Sequence, residues 1–273
     1  MKAPAVLYPE SAGQRNAWVL ERRAERNALT PGKPWAYLVE EERSASGEVV
    51  PVAAIFLTNR ECPWRCVMCD LWRNTLADDT PAGAIPEQIA YALARLPAAR
   101  EVKLYNSGSF FDRRAIPPED HSAIAAGVAG FERVIVECHP SLVTDDCLRF
   151  RDRLHGRLEV AMGLETAHPE ILDKLNKRMT LDEFVAAADR LRANDLDLRV
   201  FLLLRPPFMP ESEAFTWAAR SLDFAFDCGA TAATLIPTRA GNGAMDALAV
   251  QGLFSPPSLA MLVSVMNTGL PGT

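Results

Sequence analysis

Three of the chain's six cysteines lie within one short segment, RECPWRCVMCDLW, residues 60–72. Cys62, Cys66 and Cys69 follow a C-x3-C-x2-C spacing, which puts three thiols on one stretch of chain. Thiolates bind zinc and iron–sulfur clusters, and in a reducing compartment clustered cysteines bind metals more often than they form disulfides. The types and spacing of these residues therefore predict a metal site.

The number of protein ligands decides which metal such a site holds. A structural zinc ion takes four ligands, commonly as two C-x-x-C pairs, and no second pair follows in this sequence. Cys138, His139 or Cys147 would have to complete a zinc site through the folding of the chain. Three thiolates instead suit an iron–sulfur cluster that keeps one iron free of protein ligands. We favour the cluster, with structural zinc or unliganded core cysteines as the alternatives.

Six short apolar runs rich in β-branched residues predict buried strands. They cover residues 52–58, 101–105, 133–138, 158–164, 198–204 and 232–237. Amphipathic stretches of helical length alternate with them, at residues 85–96, 119–130, 145–154, 181–194 and 213–227. Strands that alternate with helices form parallel sheets through right-handed crossovers. The pattern predicts an α/β fold, either a partial barrel or an open doubly wound sheet.

Two flanking segments complete the predicted organisation. An amino-terminal extension, residues 1–50, holds a surface helix at 14–29 and an extended pair around GEVV. Charges of both signs interleave on that helix, which predicts a solvated face rather than a contact with an acidic partner: Arg15, Glu21, Arg22, Arg23, Glu25 and Arg26. The core domain covers residues 51–240. The carboxyl-terminal segment, 241–273, has room for one helix at 256–267, which we expect to act as a lid.

Composition and charge limit the classes of function. The 273 residues carry a formal net charge of −6, so nonspecific electrostatic binding of nucleic acid is not expected. The start, MKAPAVLYPESAG, lacks the apolar stretch of a signal peptide, and no apolar run reaches the roughly 18 residues of a membrane helix. We expect a cytoplasmic protein that does not contact membranes.

The segment CPWRCVMC resembles the cysteine motif of the radical S-adenosylmethionine (radical SAM) enzymes, and the resemblance covers about residues 50–240. It implies a partial (β/α)6 barrel of the TIM type in which Cys62, Cys66 and Cys69 hold a 4Fe-4S cluster at the open end. The amine and carboxylate of S-adenosylmethionine (SAM) would chelate the fourth iron. The resemblance thus implies reductive cleavage of SAM to a 5′-deoxyadenosyl radical, which abstracts hydrogen from a substrate.

The same resemblance implies cofactor contacts after the first two strands. The NSGSF segment stands where the family often has a Gly-Gly-Glu loop against the methionyl group, here without the carboxylate, which implies contacts from Asn106, Ser107, Gly108 and Ser109. Met68 stands where an aromatic residue commonly packs near the adenine. The glycines of IPTRAGNGAMD, residues 236–246, let the backbone approach a ligand closely, which suits either the adenine edge or a flexible loop.

Further implied contacts follow the fourth strand. Glu165 and Thr166 stand where the family contacts the ribose, although Glu165 is equally suited to cap a helix that begins near Pro169. In the segment LNKRMTLDEF the resemblance implies that Lys177 or Arg178 faces the cofactor carboxylate. The expected site thus spans the carboxyl ends of several strands, where parallel α/β folds place their chemistry.

The remaining strand ends carry the candidate catalytic groups. Glu137, His139 and Arg205, together with Arg239, are expected at the open face. His139 suits either a proton donor or a hydrogen-bonded structural role. Acidic and basic groups together predict a small polar substrate or a single modified nucleoside of the transfer RNA type. Transfer RNA would need a local basic patch, such as the arginines at 15–26, or a partner subunit.

Within the family, the cysteine segment and KLYNSGSFFD most resemble the branch that contains the archaeosine-synthase radical subunit. The segment LNKRMTLDEF is similar to the stretch after the fourth strand in the branch of the elongator catalytic subunit and the coproporphyrinogen-type enzymes. The archaeosine subunit acts on a modified deazaguanine in transfer RNA. The resemblance also implies a one-electron donor of the flavodoxin or ferredoxin type. The alternatives are a zinc-stabilised α/β binding module without radical chemistry and a barrel with a hydrolytic site, for which the sequence has no G-x-S-x-G motif.

Overall fold

A seven-stranded sheet forms the centre of the computed structural model, which describes residues 7–44 and 47–268. Its strands are β1 Ala36–Arg43, β2 Val49–Phe56, β3 Glu101–Tyr105, β4 Arg133–Glu137, β5 Arg157–Glu165, β6 Asp197–Leu204 and β7 Ala232–Pro237. They lie in sequence order across the sheet; β1 and β2 are antiparallel, and β2 to β7 are parallel. The predicted partial (β/α)6 barrel with an added hairpin is confirmed. The doubly wound alternative is wrong, because that fold reverses its strand order at a switch point.

Helices connect the strands and cover the outer face of the sheet. They are α1 Ala12–Leu20, α2 Ala84–Leu93, α3 His121–Gly127, α4 Asp145–Arg151, α5 Pro169–Lys174, α6 Leu181–Ala193, α7 Glu211–Asp227, α8 Ala244–Val250 and α9 Leu259–Thr268. In α6 the Thr180 hydroxyl accepts the Glu183 N–H, and the Glu183 carboxylate accepts the Thr180 N–H, so a capping box fixes the start. Within the described chain, none of these helices combines the length and apolarity of a membrane span.

The two faces of the sheet differ sharply in chemistry. On β3, Val102 and Leu104 are buried and pack with Ile89 of α2 in the main apolar core. Since side chains alternate along a strand, Lys103 and Tyr105 lie on the opposite face, which lines the interior, or lumen, of the barrel. The core face of β3 is therefore apolar, whereas its lumen face is charged and aromatic.

Buried ion pairs fill the lumen near the amino ends of the strands. Lys103 Nζ lies 2.8 Å from a Glu40 carboxylate oxygen on β1. Arg199 Nε lies 2.5 Å from Glu159, which Arg133 also contacts at 3.2 Å. Lys103 and Glu159 are only 3% and 2% exposed. Because buried charges must be paired, this network gives the lumen a polar floor opposite the open end of the barrel.

The amino-terminal helix is shorter than the sequence predicts. The predicted helix at 14–29 is wrong beyond Leu20, where α1 ends. The following residues leave the helical path, and Arg23 and Arg26 pair instead with Glu61. Tertiary ion pairs of this kind override helix propensity, which is worth only a few tenths of a kcal/mol per residue, on the order of 0.5.

Two helices follow β7, although the sequence predicts only one. Trp18 of α1 packs with Met245 and Leu248 of the additional helix, α8, in a second apolar cluster. The predicted helix at 256–267 corresponds to α9, which packs against α7 and the end of β6 through Met261. Its role as a lid stays a prediction.

Candidate metal centre

The cysteine loop, residues 60–72, leaves the carboxyl end of β2 and leads towards α2. Cys62, Cys66 and Cys69 are free and partly buried there. Burial raises the pKa of all three thiols, and the charges of Cys69 and Cys62 raise the pKa of Cys66 further, as expected for neighbouring sulfur atoms. A metal that binds them must displace their protons, so binding releases protons and strengthens with pH.

The donor set fits a cluster better than a single zinc ion. Within residues 7–44 and 47–268, no group of three or more His, Cys, Asp or Glu side chains is placed to hold one ion. Cys138, Cys147 and Cys228 are buried in the main apolar core on the helix side of the sheet, so they do not complete a zinc site around the loop. The loop offers three thiolates without a fourth protein ligand, which is the set that a cluster with one open iron requires.

The loop at 106–109 leaves β3 and lies against the cysteine loop. A Cβ atom on Gly108 would sit 3.0 Å from Cys62 Cβ, so glycine permits the close approach of the two loops. The Asn106 side chain is fully buried, and both its amide atoms lack a hydrogen-bond partner among the described residues. A buried, unpaired amide is costly unless a further polar group occupies the site. The loop therefore fits a bound polar cofactor next to Cys62.

Glu137, at the end of β4, fastens this loop. Its Oε2 atom accepts the backbone N–H groups of Asn106 at 2.8 Å and of Ser107 at 3.1 Å. Ser107 has a φ of 52°, in the left-handed region that side chains other than glycine rarely adopt. The carboxylate thus holds the loop in a conformation that it would not keep alone, which is a positioning role for a residue that the sequence offers as a catalytic candidate.

The buried carboxyl of Glu137 should make stability depend on pH. Burial raises its pKa to about 7, so between about pH 4.3 and pH 7 the folded chain holds a proton that the unfolded chain has lost. Its contribution to stability is complete below about pH 4.3 and is lost as the pH rises through about 7. Wild type should therefore lose on the order of 3 kcal/mol more than Glu137→Gln between about pH 4 and pH 8. Urea unfolding at both pH values measures this, and equal losses would contradict it.

A β-bulge between Gly163 and Glu165 turns the end of β5 into the site. Glu165 has a φ of 67° there, and its Oε1 atom lies 2.6 Å from Lys177 Nζ. A Cβ atom on Gly163 would come within 2.3 Å of Glu165 Oε1, so glycine makes room for the pair. Helix α5 takes His168 as its N-cap, without a side-chain hydrogen bond. The alternative in which Glu165 caps this helix is therefore wrong.

Lys177 supplies a buried cation beside the thiols. Burial lowers its pKa, but the charges of Glu165 and Cys66 outweigh burial, so the net shift is upward and the amine stays protonated. In turn the lysine charge lowers the pKa of Cys62 and Cys66. Its neighbour Arg178 is exposed and donates to the carbonyl of Ala12. Of the two basic residues that the sequence offers, only Lys177 lies at the site.

His139 bridges the cysteine loop and the stretch after α5. Its ring stacks on Trp64 with centroids 3.7 Å apart, while Nε2 lies 3.1 Å from the Lys177 carbonyl and Nδ1 lies 2.8 Å from Ser141 Oγ. A carbonyl only accepts, so Nε2 carries the proton and Nδ1 accepts. Burial lowers the pKa of His139 to about 3, which keeps the ring neutral. These contacts match the structural interpretation of this residue.

The other candidates have ion-pair, hydrogen-bond or packing partners within the fold. Arg205 pairs with Glu211 at 3.2 Å, and the exposed Arg239 pairs with Asp70 at 2.7 Å. Thr166 is buried, and its hydroxyl accepts the N–H of residue 168 at 3.2 Å. Met68 packs against the second apolar cluster, which also contains α1 and α8. Contacts of Thr166 and Met68 with a cofactor stay predictions.

Two amino-terminal arginines, Arg23 and Arg26, pair with Glu61 of the cysteine loop. Arg23 lies 2.6 Å and Arg65 3.1 Å from the Glu61 carboxylate, which Arg26 also contacts. Arg15, only 3% exposed, pairs with Asp173 of α5 at 2.9 Å. The predicted solvated face is therefore wrong for Arg15 and Arg23, whereas Glu21, Glu25 and Arg26 are exposed as expected. The use of these arginines as a free basic patch is wrong, because Arg15, Arg23 and Arg26 are engaged in ion pairs. Sequence reasoning missed them because Glu61 lies 38 residues from Arg23.

Three aromatic side chains line the lumen between its polar floor and the site. Phe56, Tyr105 and Phe201 come from β2, β3 and β6, and both Phe56 and Phe201 lie edge-to-face with Tyr105 at 6.0 Å. Contact between β3 and β6 requires a curled sheet, because β4 and β5 separate them in the strand order. The three rings are partly exposed. The alternation of charged or aromatic with apolar residues in EVKLY was the available signal for this face.

A sequence model of the Radical SAM superfamily matches residues 56–213, which contain the cysteine loop and strands β3 to β6. The match covers more than half of the chain, so the chain belongs to this superfamily and is an enzyme of that class. The cofactors of the superfamily are a 4Fe-4S cluster and SAM, and the three-thiol loop fits them. The zinc-stabilised binding module is not favoured.

Among curated proteins, the chain is similar to an uncharacterised protein of Methanocaldococcus jannaschii, with 23% identity over 259 residues, 89% of this chain and 71% of the relative. It is also similar to archaeosine synthase subunit beta of Methanosarcina acetivorans, with 26% identity over 81% of this chain and 68% of the relative. Among solved structures, coproporphyrinogen III oxidase of Escherichia coli, a radical SAM enzyme, shares the fold with a TM-score of 0.54 and 11% identity. That match covers 93% of this chain and about half, 54%, of the oxidase.

Proposed function

We propose that Cys62, Cys66 and Cys69 bind a 4Fe-4S cluster and that the enzyme cleaves SAM reductively to modify a nucleoside. The observation that carries this proposal is the cysteine loop itself, whose three thiols lie at the open end of the barrel beside the buried cation Lys177. When bound, the cluster and SAM would supply one-electron cleavage of the sulfonium carbon–sulfur bond, which gives methionine and a 5′-deoxyadenosyl radical able to take hydrogen from the substrate.

The chain's own residues bind and orient these groups. Lys177 is proposed to neutralise the cofactor carboxylate, since it is a buried, protonated amine next to two of the cysteines. Residues 106–109 are proposed to hold the methionyl end through backbone groups and the unpaired Asn106 amide, and Glu165 and Met68 to contact the ribose and adenine. The barrel around them excludes water from the reacting groups.

The lumen supports a planar, polar substrate. Phe56, Tyr105 and Phe201 offer ring surfaces between the cysteine loop and the charged floor. Aromatic side chains stack on bases with about 1–3 kcal/mol per base, and charged groups bind the polar edges of a heterocycle. Similarity to archaeosine synthase subunit beta of Methanosarcina acetivorans supports a modified nucleoside as the substrate.

A partner subunit is proposed to bring a substrate as large as transfer RNA. The chain carries a net charge of −6, and Arg15, Arg23 and Arg26 are engaged in ion pairs within the fold. The similar protein of Methanosarcina acetivorans is itself named as a subunit. A free metabolite is the second candidate substrate, because it needs neither a basic surface nor a partner.

A one-electron donor of the flavodoxin or ferredoxin type is proposed to reduce the cluster. Pro63 is exposed and Trp64 is half-buried, so the cysteine loop reaches the protein surface, where a donor can dock. The six cysteines of the described chain are all free thiols, which suits a reducing compartment, and we propose a cytoplasmic location.

A fractionated cell extract tests the substrate. Reconstituted enzyme, SAM and dithionite are incubated with either the small-molecule fraction or the RNA fraction, each with and without the protein fraction that would contain a partner subunit, and 5′-deoxyadenosine is measured. If only the RNA fraction stimulates 5′-deoxyadenosine formation, and nuclease treatment removes the effect, the result supports a nucleoside in RNA as the substrate. A strong decrease of this stimulation with salt supports contacts to RNA phosphates. Stimulation by the small-molecule fraction alone would reject the RNA substrate. Tyr105→Leu should lose the stimulation, whereas Phe226→Leu, an exposed residue of α7, serves as the matched control.

A further inference from the structure

The loop between β7 and α8 holds an asparagine between two glycines, and this asparagine binds the cysteine loop. Gly241 and Gly243 have φ values of 104° and 80°, which side chains disfavour. A Cβ atom on Gly243 would lie 1.9 Å from the Arg22 carbonyl oxygen, so this turn also requires glycine for close packing. Between them Asn242 is only 3% exposed. The GNG segment is thus a shaped turn that presents one buried amide.

The amide of Asn242 contacts the part of the cysteine loop that carries two of the thiols. Its Nδ2 donates to the Val67 carbonyl at 2.9 Å and to the Cys69 carbonyl at 3.1 Å. Its Oδ1 accepts the N–H of Met245, in the first turn of α8, at 2.7 Å. The Asn242 amide therefore uses both of its N–H groups and its oxygen in hydrogen bonds. These bonds join α8 to the turn of the cysteine loop in which the Cys69 N–H donates to the Cys66 carbonyl.

Other contacts hold the same loop from the opposite side. The Val67 N–H donates to the Leu175 carbonyl at 3.0 Å, and Asn176 Nδ2 donates to the Arg65 carbonyl at 2.8 Å. Leu175 and Asn176 lie within the segment that the superfamily model matches, whereas Asn242 lies beyond its end at residue 213. The carboxyl-terminal part of the chain thus supplies a second anchor for the loop.

We propose that Asn242 is a positioning residue that sets the orientation of Cys66 and Cys69 towards the cluster. The inference rests on the proposed ligation by the three cysteines. Without the two donated hydrogen bonds, the carbonyls of Val67 and Cys69 lose their fixed direction, and the Cys66–Cys69 turn gains freedom. Groups that orient metal ligands typically change metal affinity by about 10- to 100-fold when removed, so cluster retention should report on Asn242.

Two substitutions at this position and one matched control test the proposal. Asn242→Asp keeps the oxygen that accepts the Met245 N–H, and so preserves the start of α8, but loses both donors. Asn242→Ala loses all three bonds without adding a charge. Thr238→Val is the control, because the buried Thr238 hydroxyl donates at 2.8 Å to a carbonyl of β6 rather than to the cysteine loop.

Iron release to a chelator and the electron paramagnetic resonance spectrum of the reduced cluster are the measurements. We expect both Asn242 variants to release iron about 10-fold faster than wild type and to change the spectrum, with Thr238→Val unchanged in both. Wild-type release and spectrum in Asn242→Ala would overturn the inference while leaving the proposed ligation intact, even if that variant melts earlier. An effect of Asn242→Asp alone would also overturn it, since the added charge would then be the cause. Wild type that takes up no cluster would overturn both proposals.

Discussion

Each of the variants Cys62→Ala, Cys66→Ala and Cys69→Ala should contain no cluster after anaerobic reconstitution. Each thiolate is proposed as the single protein ligand of one iron, and the other cysteines of the described chain lie in the apolar core on the far face of the sheet. A missing ligand therefore has no substitute nearby. Iron and sulfide per chain, together with visible absorbance, measure the effect.

Cys228→Ala is the control for this series, because Cys228 is buried beside α7 and away from the loop. It should retain wild-type iron content. Full iron content in a variant that lacks all three motif cysteines would disprove the assignment of the ligands.

Lys177→Met should destabilise the fold by about 3–5 kcal/mol, because it leaves the buried carboxylate of Glu165 unpaired. The double variant Glu165→Met/Lys177→Met should recover most of that loss, since an apolar pair removes both buried charges. Arg178→Met is the control: its side chain is exposed, so a change below about 1 kcal/mol is expected. Urea unfolding of the cluster-free proteins measures all of these.

A further substitution in the Glu165–Lys177 pair tests whether Glu165 binds the cofactor as well as Lys177. Once reconstituted, Glu165→Gln should bind SAM more weakly, by about 1–3 kcal/mol, if the carboxylate accepts a ribose hydroxyl. Calorimetry on the reconstituted variant decides this. Unchanged affinity would leave Glu165 as the partner of Lys177 alone and remove it from the proposed cofactor site.

Local patterns carried the predictions that proved correct. Hydrophobic period located the strands and the longer helices, such as the helix predicted at 181–194, which is α6 Leu181–Ala193 in the structure. The cysteine motif is equally local, since its three thiols lie within one loop. The superfamily match over residues 56–213 confirms the family that this motif indicates.

Contacts between distant residues explain what the sequence could not show. Glu137 meets Asn106 across 31 residues, and Asn242 meets Val67 across 175, so neither role leaves a local signature. The helix predicted at 14–29 ends early because Arg23 meets Glu61, which no helical pattern encodes. The charged lumen was likewise not predicted. Each strand also has an apolar face, so the average hydrophobicity of its segment is high although the other face carries charges.

Formation of 5′-deoxyadenosine is the most direct test of radical SAM chemistry in this chain. Anaerobically reconstituted wild type, SAM and dithionite are incubated together, and the product is quantified by mass spectrometry beside Cys66→Ala treated identically. We expect 5′-deoxyadenosine and methionine in equal amounts from wild type and none above background from Cys66→Ala. Wild type that carries a full cluster yet yields no more 5′-deoxyadenosine than Cys66→Ala would contradict it.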